Sequence, residues 1–396
     1  MSSPLTQVRS PKQLLPFTRS KIRAIAFHAH RWLGLTIGIL LCIAGVTGSI
    51  LVFWHELDHW ILTQRFGAIL PADTTAAIPA IVDQLKATYT PKNLTLSSLS
   101  FPEQRGYPYV AWLQDTAEHY LQAFINPYTG QIIGDRPWET SWAGRILELH
   151  YKLLAGDIGT LIMGIVALLT LMLSLSGIIL WPGWRKLAAG FKIKWDGHIK
   201  RVNFDLHKVF GIVTAVFLAL IGFTGFAWNI PQAKVTEAIH LATFTPKPAD
   251  PVSVPIAGQQ PLAIADLIQR ADAAIPNAQT TYISFANKPE AVFDVGKRQA
   301  QETGQHGNTH IFIDQFSGKV VQLKDGVKPT RAEAILNQFS AVHFGTFGGV
   351  PTKILYVFVG LAPLILFVTG FVMWWYRKRK DIRLVEATAA EAIAKP

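Results

Sequence analysis

Hydrophobic positions along the chain follow two regimes. Four long apolar runs, about Leu33 to Trp54, Ile158 to Trp181, Val209 to Ile230 and Ile354 to Tyr376, each exceed the roughly 20 residues a helix needs to cross a bilayer. The two stretches between them, 57–145 and 232–342, change period repeatedly. Each opens with helical spacing, at Ile78, Ile81, Val82 and Leu85 in the first and Leu262, Leu267, Ile268 and Ala271 in the second. Strand-like runs follow, such as "YPYVAWLQD" and "TTYISFA", and each stretch closes on a hairpin pattern, "FINPYTGQIIGD" or "IFIDQFSGKVVQL", with Gly130 and Gly318 at the turns. The expectation is a helix on a small antiparallel sheet, twice. Residues 245–255 read as a proline-rich linker, and polar 297–308 as an exposed hairpin loop.

The runs align with one another. From His30 and from His207, small residues recur at offsets 4, 8, 15 and 18: Gly34, Gly38, Gly45 and Gly48, then Gly211, Ala215, Gly222 and Gly225. Offset 17 is Thr in both, Thr47 and Thr224. At 3.6 residues per turn these positions share the helix face that carries the His. His150 and His343 are likewise followed by Gly156 and Gly349, Gly177 and Gly370, and Trp181 and Trp374 at matching offsets. The fold class expected is an α-helical membrane bundle of four transmembrane helices, built as a tandem parallel repeat, with two α+β external domains.

Charge orients this arrangement. Residues 1–31 carry six Lys/Arg and no acids, the 182–206 loop six against Asp196 and Asp205, and the tail after Tyr376 six against three acids. The positive-inside rule puts these strips in the cytoplasm and both long stretches outside. The expected organisation is a basic arm (1–31), spans at 32–56, 146–182, 206–231 and 343–377, external domains at 57–145 and 232–342, a cytoplasmic loop at 183–205 and a tail at 378–396. The first span reads as an uncleaved anchor. A net charge of +11 concentrated beside membrane spans argues against nucleic acid as partner. Only then does composition add something: the single Cys42 among 396 residues excludes a disulfide framework, a Cys-ligated cluster and covalently attached haem.

Ionisable residues beside spans are costly and mark function. Parallel repeats pack about a pseudo-two-fold axis, which sets equivalent positions opposite one another. His30 would then face His207, and His150 would face His343, each beside glycines (Gly34, Gly211, Gly45, Gly222) that leave room for a flat ring. Facing imidazoles in a helical bundle are what bis-His b-type haem requires. His28 lies two residues from His30 and points elsewhere on a helix. "HELDH" (His55, Glu56, His59) fits the zinc-protease pattern, but lacks an evident third ligand, and its repeat equivalents are Gln232 and Thr236.

The "HRWLG…TG" and "DLHKVFG…TG" spans, the "ELH…SGIILW" and "VHFG…TGFVMWW" spans and the paired external stretches, together covering about 25–380, resemble the PepSY-associated transmembrane helix family. In layout they are most similar to the inner-membrane di-haem siderophore reductases of Gram-negative bacteria. The resemblance implies two PepSY-like periplasmic domains and two bis-His b-type haems, with His30, His207, His150 and His343 as iron ligands. It also implies delivery of electrons to a ferric siderophore in a cleft between the external domains. The donor would be a quinol or a cytoplasmic reductase, because the internal loops carry no nucleotide motif. A family "ELD" at Glu56 to Asp58 implies a structural role there. Two alternatives remain open: a haem-free regulator of an envelope peptidase, and a cytochrome b subunit of another periplasmic oxidoreductase.

Overall fold

A computed structural model describes residues 19–393, apart from 103, 230, 231, 303 and 305. Most of the basic arm and residues 230 and 231, the expected end of the third span, lie outside the described residues. The elements run α1 (Arg19–Leu51), α2 (Trp54–Phe66), α3 (Ile78–Tyr89), β1 (Thr95–Ser100), β2 (Tyr109–Gln114), β3 (Tyr120–Ile125), β4 (Ile132–Pro137), α4 (Trp142–Lys152) and α5 (Gly156–Leu180). They continue with α6 (Leu187–Phe191), α7 (Ile199–Asn229), α8 (Gln232–Ala242), α9 (Ile264–Ala274), β5 (Gln279–Ser284), β6 (Phe293–Arg298), β7 (Thr309–Ile313), β8 (Val320–Lys324), α10 (Arg331–Phe344) and α11 (Val350–Ile393).

Four helical segments, Lys21–Leu51, Gly156–Trp184, Ile199–Asn229 and Val350–Arg379, are long and apolar enough to cross a membrane. Only 22–33% of their most apolar windows is buried within the protein. Side chains such as Ile39, Ile158 and Phe358 stand more than half exposed, an arrangement stable in hydrocarbon and not in water. The expected spans run too far at two places. The first helix stops at Leu51, so Trp54 opens α2, and α4 is separated from α5 by Leu153 to Ala155. Leu153 and Leu154 adopt left-handed backbone (φ 52° and 56°), which ends α4 without a glycine. The fourth span is interrupted likewise: α10 ends at left-handed Gly345 (φ 69°), five residues before α11 begins. His150 and His343 therefore sit in the last turns of short helices that precede the spans.

The chain divides into two compact units. One comprises the described residues up to Ile39, Leu169–Ala219 and the chain from Ile365 onward; it is helical and contains His30 and His207. The other, Leu40–Leu168 and Leu220–Leu364, contains His150, His343 and all eight strands.

Within the second unit the strands form one antiparallel sheet in the order β4-β3-β2-β1-β5-β6-β7-β8. The two small sheets expected are thus joined into one. Each half is a four-stranded meander, but β1 and β5 pair edge to edge (Ser98 with Ser284, Leu99 with Ile283, Ser100 with Tyr282), so neither exposes that edge to solvent. The helices α3 and α9 lay Ile81, Val82 and Leu85, and Leu267 and Ala271, onto one continuous core with Leu99, Leu113, Ile283, Val295 and Ile311. Both hairpins form where expected, with Gly130 (φ 73°) and Gly318 (φ 70°) supplying the left-handed turn position. One residue of the presumed exposed loop is misplaced: Lys297 belongs to β6, is 1% exposed, and donates to Asp272 Oδ1 (2.6 Å) and the Ile275 carbonyl (3.2 Å).

Candidate functional site

The repeat positions meet as expected in both units. In the first, the rings of His30 (α1) and His207 (α7) have centroids 6.1 Å apart and planes at 87°. In the second, His150 (α4) and His343 (α10) are 6.4 Å apart at 80°. His28 is exposed and contacts Phe27 and Arg31 instead.

All four rings are held by one local device, a hydroxyl residue followed by glycine on a neighbouring helix. His30 Nδ1 lies 3.0 Å from Ser176 Oγ, His207 Nδ1 2.9 Å from Thr369 Oγ1, His150 Nδ1 3.0 Å from Thr47 Oγ1 and His343 Nδ1 2.8 Å from Thr224 Oγ1. The next residue, Gly177, Gly370, Gly48 or Gly225, abuts the same ring: a Cβ there would stand 3.0–3.4 Å from the imidazole Cε1. A Cβ would press on the ring at Gly48 and Gly177 and would just touch it at Gly370 and Gly225.

This device also favours one tautomer. Each hydroxyl is buried and spends its own proton on a carbonyl of its helix: Ser176 on Leu173, Thr369 on Ile365, Thr47 on Ile43 and Thr224 on Leu220, at 2.7–2.9 Å. With the hydroxyl proton placed there, its oxygen accepts and Nδ1 is the donor. The Leu173 carbonyl, 3.1 Å from His30 Nδ1, imposes the same assignment. What remains on every ring is an Nε2 lone pair, the state in which a histidine binds a metal while its other nitrogen is oriented by a partner. Burial, and for His343 also the nearby His150, holds the His150 and His343 rings below the usual imidazole pKa, so both are neutral at pH 7.

Spacing tests the fit to haem. Two imidazoles bound on opposite sides of one iron, each through a nitrogen about 2 Å away, have ring centres roughly 6 Å apart. The observed 6.1 and 6.4 Å agree, and the donor set is two neutral nitrogens per site. The residues fit bis-imidazole ligation.

The anticipated glycines divide by task. Gly34 and Gly211 face Leu173 and Leu366 with space to spare, at 3.8 and 3.7 Å. Gly45 instead abuts the Gly360 carbonyl and the Pro363 ring, so it permits close helix approach rather than ring space. Gly222 is buried. The glycines against the rings are Gly48, Gly225, Gly177 and Gly370; the sequence alignment contains all four, yet the hydroxyl preceding each carries the orienting bond. A shared Thr-Gly at offsets 17 and 18 was the available signal, whereas Ser176 and Thr369 differ in type and hide the correspondence.

"HELDH" is an anchor at two positions. Asp58 forms a buried bidentate pair with Arg136 of β4 and accepts from Trp142 Nε1 at 2.9 Å. Glu56 pairs with Lys353. Among the described residues no group of three or more His, Cys, Asp or Glu side chains is disposed to hold a metal ion. His55 and His59 instead line a cavity of about 420 Å³ between α2 and the sheet, with residues from both halves, including Trp112, Tyr282, His306 and His310. Desolvation there, then the His306 ring, pushes His55 down to about 4.

A family model described as the PepSY-associated TM region matches residues 27–377. No curated protein matches the chain significantly. The chain belongs to the PepSY-associated TM region family.

Proposed function

We propose that this member of the PepSY-associated TM family is a membrane electron-transfer protein in which His30 and His207 hold one b-type haem and His150 and His343 a second. In this reading it reduces ferric chelates of the siderophore class on the periplasmic side of a bacterial inner membrane. The observation that carries the reading is the pairing of four hydroxyl-bound imidazoles at the ring spacing that bis-imidazole iron requires. Bound there, a haem supplies reversible one-electron chemistry. The protein's part is to present Nε2, to hold each Nδ1–H on a buried hydroxyl that raises the basicity of the ligating nitrogen, and to keep water from both pairs. With two imidazoles per iron no position stays open, which suits electron carriage rather than binding of oxygen.

The substrate class follows from metal chemistry and orientation. Ferric iron is hard and held tightly by oxygen chelators; the ferrous ion is softer and held less well, so one electron loosens it. The basic strips beside the spans support an inside location for the termini and an outside location for the sheet. A quinol or a cytoplasmic reductase supplies the electrons. A reduced-minus-oxidised absorption spectrum of purified protein, followed by stopped-flow mixing of the reduced form with ferric chelates, tests this. Cytochrome b bands that are oxidised by ferric chelates are expected. Their absence from protein made with sufficient haem would leave the sheet as a protein-binding module.

A further inference from the structure

Four further imidazoles gather around the cavity in the second unit. His55 and His59, one helical turn apart, lie on the same side of α2, His306 comes from the loop before β7, and His310 lies on β7. The His55 and His306 rings have centroids 6.1 Å apart at 53°, about 1 Å wider than the roughly 5 Å of two imidazoles on one tetrahedral ion, so binding draws the two rings together. His310 Nδ1 lies 3.1 Å from Asp294 Oδ1, the carboxylate–histidine arrangement that leaves Nε2 as a ligand. His59 stacks on Tyr107 (3.4 Å, 9°), and its Nδ1 is buried with no hydrogen-bond partner among the described residues.

Charge and ligand type select the occupant. The lining contains one carboxylate, Asp58, and no Lys or Arg among the described residues. A third haem would bring two propionates to a wall without a fixed positive charge, whereas a cation meets no such penalty. Imidazole nitrogens favour borderline divalent transition metals over magnesium or calcium, which need oxygen ligands.

We propose that His55 and His306 bind a divalent transition-metal ion in this cavity, with His59 and His310 beside it, and that in the cell this ion is the ferrous product of chelate reduction. The identity of the cargo rests on the function proposed above; the site itself does not. An ion loosened from oxygen donors by reduction would find there the nitrogen donors that the ferrous state prefers.

The test uses the full-length, haem-loaded protein in detergent. Titration calorimetry with Zn²⁺ alone, and with Fe²⁺ under anaerobic conditions, should show one saturable site that Mg²⁺ does not occupy. His55→Ala and, on the loop, His306→Gln should each weaken Zn²⁺ binding at least about 10-fold, by loss of one of two ligands, while exposed His119→Ala leaves it unchanged. Haem content of both variants should equal that of the parent. Lack of saturable binding, or binding indifferent to both substitutions, overturns the proposal, as does loss of haem from His55→Ala, which would make the cavity a porphyrin site. Zn²⁺ binding by a protein that carries no haem would uphold the site and remove its ferrous cargo. Haem without metal binding would do the reverse.

Discussion

Replacing Arg136 by Met strands a charge that the fold has enclosed. The Asp58 and Arg136 side chains are 9% and 8% exposed, and the guanidinium donates to both carboxylate oxygens at 2.7 Å. The same guanidinium donates twice to Gln122 Oε1, at 2.9 and 2.8 Å. After Arg136→Met, Asp58 retains the Trp142 indole N–H and no counter-charge on β4. Removing one member of such a pair costs about 3–5 kcal/mol, which for a unit of this size lowers Tm by roughly 6–20 °C. Asp58→Leu combined with Arg136→Met removes both charges, and a buried pair exchanged for apolar residues is close to neutral; Gln122 loses its donor in both variants, so the double variant adds only the freed Trp142 N–H, about 1–3 kcal/mol, and is spared the roughly 3–5 kcal/mol of the stranded charge. The double variant is therefore expected to melt above the single Arg136→Met protein. Heating the detergent-solubilised proteins while following near-ultraviolet circular dichroism reads this, since Trp138 meets both Trp54 and Trp112 edge to face and Trp142 bonds Asp58 of α2. A single variant as stable as the parent, or a double variant worse than the single, would refute the argument that this ion pair pins α2 to the sheet.

Three other substitutions test the device around the rings and the hairpin turn. Thr224→Val keeps shape but removes the acceptor for His343 Nδ1–H; haem retention on titrated dilution should fall about 10–100-fold, while Thr88→Val, whose hydroxyl bonds only its own helix, changes nothing. Gly48→Leu drives a side chain into His150 Cε1, already 3.0 Å from a Cβ at that position, and should remove the spectral component of that pair while sparing the His30 and His207 pair. Asp314 is buried, which raises its pKa, but the N–H groups of Val254, Ser317 and Phe316 outweigh this and hold it below the usual carboxylate range. Its contribution is therefore present above the ordinary carboxylate pKa and is lost as pH falls through the depressed native value. Asp314→Ala should cost about 1–3 kcal/mol at pH 7 and flatten the acid limb of a urea-midpoint against pH curve.

Long-period signals in the sequence carried most of the architecture. Four apolar runs and two glycine-turn hairpins are local patterns, and they appear where the residues imply. The join between β1 and β5 was illegible because "TLSSLS" and "QTTYIS" do not mark which open edge will be covered; pairing of strands so distant in the chain is decided by the shared core beneath them. Leu153 and Leu154 hid the break before α5, since left-handed backbone is normally announced by Gly or Asn. Lys297 looked solvated because its partner, Asp272, lies on another element. The histidine pairs were legible from duplication alone, whereas the hydroxyls that orient them became evident only with the helices packed.

The most direct test of the central claim is haem stoichiometry read together with the reduced-minus-oxidised spectrum across single His→Ala variants. The account predicts two b-type haems per chain in the parent, one after His30→Ala, His207→Ala, His150→Ala or His343→Ala, and two after His28→Ala. A parent without cytochrome b absorption, or variants at the paired positions that keep both haems, would contradict it.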